Sequence, residues 1–498
     1  MKIHFIGICG VAMSALAIAF KKVNWKVTGS DAGFFPPVST NLEKNQVDFY
    51  PGWHPDMMIK DGVPDLVVVG NVASSTNPEW LYVMEHNLSY LSYPELIAKY
   101  LLSPNSIVCA GTYGKTTSAA LMTWILKENG YNPNYMFGGV ALNDMDSAFL
   151  PAHPSASPPA RHLPSYEGRI ISPPYTRGSG RERDVSGRGG GEWSVLEGDE
   201  YKTGRSDPRP KFVHYSPTHL LLTSVVWDHA DVYPTEESYV QAFQNLYDLV
   251  PSDGVRVISE KAIKVIDTKE KPVVSYGADK ANEYQLANVR QSKIGVAFDI
   301  VHDGKTYHLQ TQTLGAFMAD NITGCFALAH QIGLKPDDII QSVAGFLGTR
   351  RRLEKRYAGK ITVFDDIAHS PSKAEAILNS LRTVYEGKIV AVFEPNTGNR
   401  EKQSAPGYDN AFAAANEVII PRLTKIKISP GDGERSVDGP DLKKIIEKTH
   451  PRVYCIEDDE TLILHLLNTT KKDDVVVFLG SHGFRGMIET LIAQLQLP

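Results

Sequence analysis

A phosphate-binding loop near residue 110 constrains the fold of this chain more than any other feature of its sequence. The apolar run at 107–110 leads into a glycine turn, and a helical pattern follows at once. Such glycines let backbone N–H groups turn toward an anion, and the helix N-terminus adds the positive end of its dipole. The residues predicted to bind a nucleotide here are Gly111, Thr112, Gly114, Lys115, Thr116 and Thr117.

Two side chains of this loop indicate a triphosphate accompanied by a metal ion. Lys115 can reach the β- and γ-phosphates, and the hydroxyl of Thr116 can bind Mg²⁺. The match is to the shorter form Gly-Thr-x-Gly-Lys-Thr-Thr, because Cys109 stands in the place of the first glycine of the longer pattern. An ordinary strand–turn–helix joint does not need Gly-Lys-Thr-Thr at the helix start. The sequence therefore predicts binding of ATP with Mg²⁺.

Length and composition exclude several classes of protein. At 498 residues the chain is expected to form about two to four domains. A formal net charge of −6 gives no electrostatic footprint for nucleic acid. No apolar run reaches the roughly 18 residues of a membrane span, and Gly7 interrupts the N-terminal apolar run, which excludes a signal peptide. Four widely spaced cysteines fit a reducing compartment. We expect a cytoplasmic enzyme without nucleic-acid or membrane partners, and the sequence leaves its oligomeric state open.

Short apolar segments alternate with helical patterns along most of the chain, which predicts an α/β fold with largely parallel, doubly wound sheets. Three domains are predicted, at 1–105, 106–346 and 347–498. Strands are predicted at 3–6, 26–28, 65–69, 193–196, 219–226, 361–364, 389–393, 417–420 and 475–479.

Residues 151–192 interrupt this alternation. Proline, serine, glycine and arginine dominate the segment, and its apolar residues are sparse and aperiodic. Such a composition cannot supply a packed core, so we predict a disordered insertion within the central domain. A lineage-specific insertion or a sequence error is favoured over a functional lid.

The N-terminal turn predicts a second phosphate site. It joins the first strand to the first helix and contains Gly7, Gly10 and Met13. Gly10 stands where a dinucleotide fingerprint usually has another residue, but a helix N-terminus at this point can still hold a diphosphate. Asp31 ends the second strand, where an acid often meets a ribose hydroxyl. A simple turn residue in Gly-Ser-Asp-Ala-Gly is the alternative for Asp31.

Acidic residues follow two predicted strands of the central domain. Glu197 comes after one strand, and Asp228 and His229 come after the other. The carboxyl ends of parallel strands face the ligand, so these side chains should approach the nucleotide. Mg²⁺ prefers oxygen ligands, which favours Glu197 as its ligand. His229 is predicted to bind a second divalent ion or to donate to a phosphoryl oxygen. Either site alone could be a solvated acidic loop; their occurrence beside the phosphate loop favours phosphoryl transfer.

Together these motifs resemble the Mur ligases, the ATP-dependent amide-forming enzymes of peptidoglycan synthesis. The phosphate loop, the acidic segment 197–201 and the pair Asp228-His229 carry the resemblance, which extends over the chain except 151–192. Within the family, the segments 211–215 and 366–373 favour the branch that adds L-Ala-γ-D-Glu-meso-diaminopimelate to UDP-N-acetylmuramate in peptidoglycan recycling. The branch that adds a single L-alanine is the alternative.

The resemblance implies roles for residues in the first two domains. Lys115 would bind ATP phosphates and take part in catalysis. Thr116 and Glu197 would bind Mg²⁺, and His229 would lie at a second divalent site. The loop from Gly7 to Met13 would bind the diphosphate of UDP.

It also implies roles farther along the chain. Asn321 would contact adenine, although Phe317 and Met318 replace the histidine and asparagine of the family motif. Arg351 and Arg352 would open the C-terminal domain, one of them approaching the γ-phosphate, and Arg352 is taken as the catalytic one. Two residues of the following segment, Asp366 and His369, would lie near the nucleotide.

The implied reaction proceeds through an acyl phosphate, which domain closure would shield from water. Besides the L-alanine ligase, two other hypotheses remain. One is an ATPase of unrelated role that needs no UDP-sugar. The other is an inactive family member whose active site the segment 151–192 has disturbed. The base that deprotonates the amine is not identified by the sequence, and His229 and His369 are its candidates.

Overall fold

The computed structural model of the protein describes residues 1–35, 38–150, 192–204, 207–228, 232–268, 271–424 and 437–497. The described chain forms two compact units. The first comprises Met1–Gly139, Asp146–Gly277 and Gly324–Ile339, and the second comprises Val140–Met145, Ala278–Thr323 and Ile340–Pro498. The predicted disorder of 151–192 falls, apart from Glu192, outside the described residues, and so does His229.

An entirely parallel sheet forms the N-terminal part of the first unit. Its strands lie in the order β3-β2-β1-β4-β5. Because the strand order reverses at β1, the turn after β1 lies at the switch point where such sheets bind ligands. The elements are β1 (Lys2–Ile6), α1 (Val11–Lys22), β2 (Lys26–Asp31), α2 (Val38–Lys44), β3 (Asp48–Pro51), α3 (Pro55–Ile59), β4 (Leu66–Val69), α4 (Pro78–Glu85), β5 (Tyr90–Ser92) and α5 (Tyr93–Tyr100).

The rest of the first unit is built on a second sheet with the order β12-β11-β10-β6-β9-β7-β8, parallel except for β8. The strand order of this sheet reverses at β6, so the phosphate loop that follows β6 lies at the switch point of the sheet. The elements are β6 (Asn105–Ala110), α6 (Lys115–Glu128), β7 (Asn134–Met136), β8 (Ala148–Phe149), β9 (Trp193–Gly198), β10 (His219–Leu222), α7 (Glu236–Leu249), β11 (Val255–Ser259), α8 (Glu260–Ile263) and β12 (Val274–Gly277).

The strand predicted at 219–226 is only half correct. β10 ends at Leu222, and residues 223–226 are not in a strand. Thr223 N–H still donates to Ala110 O, at the end of β6, but Ser224 and Val226 bond to Thr112 and Tyr113 of the phosphate loop. An apolar run therefore predicted the strand, and the polar residues Thr223 and Ser224 mark where it ends.

Three antiparallel strands of the second unit were not predicted. They are β13 (Tyr284–Ser292), β14 (Gly295–His302) and β15 (Lys305–Thr311), and the helices α9 (Ala316–Gln331) and α10 (Pro336–Gly345) follow them. The sequence carried a signal for this hairpin. Alternate residues of β14 are buried, and β14 turns into β15 through Asp303 and Gly304, both with positive φ (50° and 70°). Asp-Gly between alternating segments is a strong hairpin signal.

The C-terminal part of the second unit contains a six-stranded sheet in the order β16-β17-β21-β18-β19-β20, parallel except for the pair β16–β17. The elements are β16 (Glu354–Ala358), β17 (Thr362–Asp366), α11 (Pro371–Arg382), β18 (Ile389–Glu394), β19 (Glu417–Ile420), α12 (Gly439–Ile446), β20 (Val453–Cys455), α13 (Asp459–Thr469), β21 (Val475–Gly480) and α14 (Met487–Leu495).

Both faces of this sheet are covered, which explains why its strands were easy to find. In β21, Val475 and Val477 pack into one apolar cluster, whereas Val476 and Phe478 pack into another on the opposite face. A strand buried on both faces has a continuous apolar sequence. The largely parallel α/β architecture predicted from the alternation is confirmed.

Two further features bear on the class of protein. Among the described ranges, no helix has the length and apolar character needed to cross a membrane. All four cysteines lie in described segments, and each is a free thiol.

Candidate nucleotide and substrate site

The phosphate loop occupies the turn between β6 and α6, and two of its glycines are sterically required. Gly111 has φ +135°, and a Cβ there would lie 2.8 Å from the backbone N and O of Ser224. Gly114 has φ +82° and is the N-cap of α6. Side chains are disfavoured at such positive φ values. The loop can therefore bring its backbone close to an anion at the start of α6.

Residues that follow β10 hold this loop in place. The backbone N–H of Thr112 donates to Ser224 O at 2.9 Å, and the Thr112 hydroxyl donates to Val226 O at 2.8 Å. The next N–H, that of Tyr113, donates to the hydroxyl of Ser224 at 3.1 Å. These bonds fix the loop before any phosphate binds, which lowers the ordering cost of binding.

Lys115 is paired with a buried acid that the sequence did not single out. Its Nζ lies 3.0 Å and 2.9 Å from the two carboxylate oxygens of Glu200, which is 1% exposed. Glu200 belongs to the same acidic segment as Glu197, but no local pattern shows which of the two acids faces the lysine. A phosphate bound in the loop would share or take over this ammonium group.

Thr116 and Glu197 are brought together as predicted for a magnesium site. The Thr116 hydroxyl donates to Glu197 Oε1 at 2.7 Å, and Gly138 N–H donates to Oε2 at 2.5 Å. A hydroxyl beside a carboxylate offers the oxygen ligands that Mg²⁺ prefers, and this ion usually keeps waters and binds phosphate as well. Within the described residues no group of three or more His, Cys, Asp and Glu side chains forms a metal site.

A second ion pair, between Lys211 and Asp199, lies against the first residue of α5, which follows the last strand of the N-terminal sheet. Lys211 Nζ lies 2.6 Å from Asp199 Oδ2, 5.2 Å from the ring centre of Tyr93 and 5.6 Å from that of Tyr201. Burial acts to raise the pKa of Asp199, but Lys211, and beyond it Lys115, hold this pKa below its ordinary value. Tyr93 begins α5, so Lys211 joins the N-terminal sheet to the acidic segment beside the phosphate loop.

The N-terminal turn uses most of its own N–H groups internally. Gly7 and Ile8 donate to Ser30 O at 2.8 and 3.0 Å, and Cys9 donates to Asp31 Oδ2 at 2.8 Å. Helix α1 begins at Val11, so the first turn of α1 supplies the N–H groups that an anion can use. The diphosphate contact predicted at this turn stays a prediction, and the N–H groups at the start of α1 are the ones that it would use.

Gly7 and Asp31 both shape this turn. Gly7 has φ +91°, and a Cβ there would lie 2.5 Å from the side chain of Val72. The other oxygen of Asp31 accepts from Ala32 N–H at 2.7 Å. The carboxylate therefore acts as a turn residue, and its contact with a ribose stays a prediction. The remaining predicted residues, Gly10 and Met13, are the N-cap and a buried side chain of α1.

Arg351 and Arg352 differ in their surroundings. The Arg351 guanidinium donates to the carbonyls of Ser481 and His482 at 3.0 and 2.8 Å, and to Asp365 at 3.2 Å. These contacts tie the segment before β16 to the end of β21. Arg352 is exposed, which favours it over Arg351 as the arginine available to a phosphate.

Asp366 is buried at the end of β17 and organises the segments around it. Its carboxylate accepts from the N–H groups of Leu353 at 2.6 Å and Ala368 at 2.7 Å. Burial raises its pKa to about 6, against the opposing effect of Arg352. The next predicted residue, His369, has Nδ1 2.7 Å from Ile367 O. Both residues belong to the second unit, and their predicted proximity to the nucleotide stays a prediction.

The raised pKa of Asp366 should make stability fall as pH rises. The unfolded carboxyl ionises near pH 4, whereas the folded one keeps its proton to about pH 6, so the native state binds more protons in between. Relative to Asp366→Asn, the wild-type chain should lose roughly 3 kcal/mol between pH 4 and 6 and nothing further above it. Urea unfolding of both proteins across this range tests the prediction, and parallel pH curves would contradict it.

The predicted adenine contact and the last residue of the phosphate loop lie on helices. Asn321 is in α9 and is 8% exposed; Phe317, which precedes it, is exposed, and Met318 is buried. Thr117 is buried in α6. Neither adenine binding by Asn321 nor a phosphate contact of Thr117 is tested by the described contacts.

Models of protein families match three stretches of the chain. Residues 2–103 match the Mur ligase family, catalytic domain; residues 188–329 match the Mur ligase middle domain; and residues 351–482 match the Mur ligase, glutamate ligase domain. The chain belongs to the Mur ligase family, whose members are ATP-dependent ligases that form amide bonds in peptidoglycan synthesis.

Individual relatives narrow the comparison. The UDP-N-acetylmuramate–L-alanyl-γ-D-glutamyl-meso-2,6-diaminoheptandioate ligase of Escherichia coli (strain K12) is 29% identical over 99% of this chain and 98% of its own length. The ligase of the same name from Haemophilus influenzae is 30% identical over 79% of this chain and 80% of its own length. The fold is similar to that of the UDP-N-acetylmuramate–alanine ligase of Thermotoga maritima, with a TM-score of 0.74 and 21% identity. The match covers 100% of this chain and 99% of that one.

Proposed function

We propose that this protein joins L-Ala-γ-D-Glu-meso-diaminopimelate to UDP-N-acetylmuramate, using ATP, in peptidoglycan recycling. The observation that carries the proposal is the similarity to two ligases named for this peptide, one over the full length and the other over about four fifths of each chain. The phosphate loop, with its glycines at positive φ, supports it. In this proposal residues 1–105 bind the UDP-sugar, 106–346 bind ATP and 347–498 bind the amine. The free thiols fit a cytoplasmic location.

The side chains at the phosphate loop suit ATP with Mg²⁺. Lys115 would bind the β- and γ-phosphates, and Thr116 and Glu197 would hold the metal ion. When bound, Mg²⁺ supplies charge neutralisation at the phosphoryl oxygens. His229 is proposed for a second divalent site on the resemblance alone, since it falls outside the residues that the structure describes.

The proposed reaction has two steps. A carboxylate oxygen of the muramyl group attacks the γ-phosphorus, the bond to the β,γ-bridging oxygen breaks, and acyl phosphate and ADP form. The peptide amine then attacks the acyl carbon, phosphate leaves with the bonding electrons, and the amine loses a proton. Both partners of the first step are anions, so Lys115 and Arg352 would lower its barrier by offsetting their repulsion.

Addition of a single L-alanine is the second candidate, because the UDP-N-acetylmuramate–L-alanine ligase of Lactobacillus johnsonii is 25% identical over 96% of this chain. The two candidates share ATP and the UDP-sugar and differ in the amine. An ATPase that needs no UDP-sugar is the third candidate, but it does not account for the diphosphate site predicted at the turn between β1 and α1.

An amine panel tests the proposal. The full chain with ATP, Mg²⁺ and UDP-N-acetylmuramate is mixed with L-alanine, L-Ala-γ-D-Glu or the diaminopimelate tripeptide, and phosphate release and product mass are measured. We expect kcat/KM for the tripeptide to exceed that for alanine by at least about 100-fold. Preference for L-alanine would support the second candidate, and phosphate release without the UDP-sugar would support the third.

A further inference from the structure

Glu394, at the carboxyl end of β18, is a buried acid with one oxygen unused. The residue is 1% exposed, and its Oε1 accepts from the N–H and the hydroxyl of Thr424 at 2.8 and 2.7 Å. Within the described part of the chain, Oε2 is buried and has no hydrogen-bond partner. An unsatisfied buried carboxylate oxygen is costly, so natural proteins rarely keep one without a use.

This oxygen lies at the edge of the sheet where parallel α/β domains bind ligands. Glu394 is in register with Gly480, the last residue of β21. A Cβ at Gly480 would lie 2.9 Å from Glu394 O, so the two strand ends approach closely because position 480 is glycine. Ligands of open parallel sheets bind outside these carboxyl ends.

The backbone around Glu394 is held firmly. Arg400 is buried, and its guanidinium donates to Val437 O at 3.2 Å and Thr424 O at 2.7 Å. Thr424 in turn bonds to Glu394. The carboxylate is therefore fixed in one orientation, with Oε1 satisfied by protein and Oε2 left over.

One guanidinium group lies near the unused oxygen without a hydrogen bond to it, and an imidazole lies near the other oxygen. Arg485 Nη1 lies 3.8 Å from Oε2, and His482 Nδ1 lies 3.9 Å from Oε1. Both side chains are partly in solvent, at 29% and 52% exposure. Because Oε2 is buried, a subsite at this oxygen requires a neighbouring side chain such as Arg485 to change its rotamer when a ligand group enters.

Two arginines share one acid at the same edge. Arg485 makes a two-point contact with Asp459, Nε to Oδ2 at 2.9 Å and Nη2 to Oδ1 at 2.8 Å. Arg422 also donates to Asp459 Oδ2, at 3.1 Å. With Glu394 included, two guanidinium groups face two carboxylates, and Asp459 uses Nε and Nη2 of Arg485 but not Nη1. Nη1 is therefore the group that a ligand carboxylate could use, and guanidinium groups bind carboxylates well.

We propose that Glu394 and Arg485 form a subsite for a zwitterionic amino-acid group, with the ligand ammonium on Glu394 Oε2 and its carboxylate on Arg485. This inference rests on the proposed function, in which the tripeptide ends in such a group, on the distal carbon of diaminopimelate. A single L-alanine has no second amine, so the only group it could place on Glu394 is the amine that reacts. That amine must be neutral to attack, and a carboxylate would favour its charged form, so Glu394 suits the distal ammonium better.

Glu394→Gln is the direct test. The glutamine amide keeps an oxygen at Oε1 to accept from Thr424. It replaces the charged Oε2 by a neutral NH₂ group. We expect KM for the diaminopimelate tripeptide to rise about 10- to 100-fold, because the loss of one charge-assisted hydrogen bond weakens binding by about that factor. For the dipeptide L-Ala-γ-D-Glu, which lacks the distal group, KM should not change. Glu447→Gln, the same change at a half-exposed acid of this domain, is the matched control.

A lysine-containing tripeptide separates the two halves of the subsite. It keeps a distal ammonium but lacks the distal carboxylate. Glu394→Gln should weaken both tripeptides, whereas Arg485→Gln should weaken only the diaminopimelate one. Calorimetric binding of each peptide supplies the same comparison where turnover is too slow to measure.

Failure of the inference and failure of the proposed function give different results. If the wild-type protein does not join the tripeptide, the proposed function is wrong whatever Glu394 does. If it joins the tripeptide and Glu394→Gln changes KM equally for the tripeptide and the dipeptide, or for neither, the subsite is wrong. Should Glu394→Gln not fold, acetylation of the distal amine of the tripeptide must weaken its binding to the wild-type protein to a similar extent.

Discussion

Replacing Lys115 by methionine is expected to lower ATP turnover by about 1,000-fold or more, while UDP-N-acetylmuramate still binds. The change removes the cation that would lie on the β- and γ-phosphates in the transition state, where a positioned charge contributes most. It leaves the backbone of the loop intact, because Ser224 and Val226 hold it independently of the lysine. Phosphate release and calorimetric binding of both substrates provide the measurements.

A second effect of this substitution can be separated from the first. Lys115→Met removes the cation from a buried ion pair with Glu200, which should lower the unfolding free energy. In the double variant with Glu200→Gln, stability should recover but turnover should not. Lys127→Met, at the other end of α6, is the control for losing a lysine from this helix. ATP turnover within tenfold of wild type in Lys115→Met would contradict the assigned nucleotide site.

Replacing Glu79 by alanine should destabilise the N-terminal sheet by about 3–5 kcal/mol. Glu79 lies in α4 and is fully buried. Its carboxylate accepts from the hydroxyls of Ser30 and Tyr50, the latter at 2.6 Å, and from His54 N–H at 2.8 Å. Ser30 is fully buried, and a buried donor that loses its acceptor costs roughly 1–3 kcal/mol. Tyr50 and His54 are partly open to water, so their losses cost less.

The same substitution should weaken binding of the UDP-sugar. Ser30 O accepts the N–H groups of the turn after β1, so loosening Ser30 loosens the turn. Thermal unfolding and UDP-sugar titration measure the two effects. Glu85→Ala, an exposed acid at the end of the same helix, should change neither. An unfolding temperature equal to that of wild type in Glu79→Ala would show that the carboxylate network is not stabilising.

Local patterns predicted much of the fold. The nucleotide loop follows from residues within one strand, one turn and one helix, and the glycines adopt the positive φ values that such a turn requires. Strands such as β21 were found because burial on both faces makes their sequences continuously apolar. The segment 223–226 was assigned wrongly because an apolar pattern does not show whether backbone groups bond to a strand or to a loop. The hairpin of β14 and β15 was missed although its Asp-Gly turn signalled it.

Partners across long stretches of sequence were not predictable. The carboxylates of Glu197 and Glu200 are three positions apart, yet one meets Thr116 and the other meets Lys115. Arg351 and Arg352 are adjacent, and only the first is committed to the end of β21. Such choices depend on which strands are neighbours in a sheet.

The sequence alone determined the alternation of strands and helices, the phosphate loop and the family resemblance, because each rests on residues close together in the chain. Only the tertiary structure decided that Asp31 closes a turn, that Glu200 neutralises Lys115 and that Glu394 keeps an oxygen unused. The reason is physical: the charge state and hydrogen bonding of a buried carboxylate depend on neighbours that the packed sheets bring from distant segments.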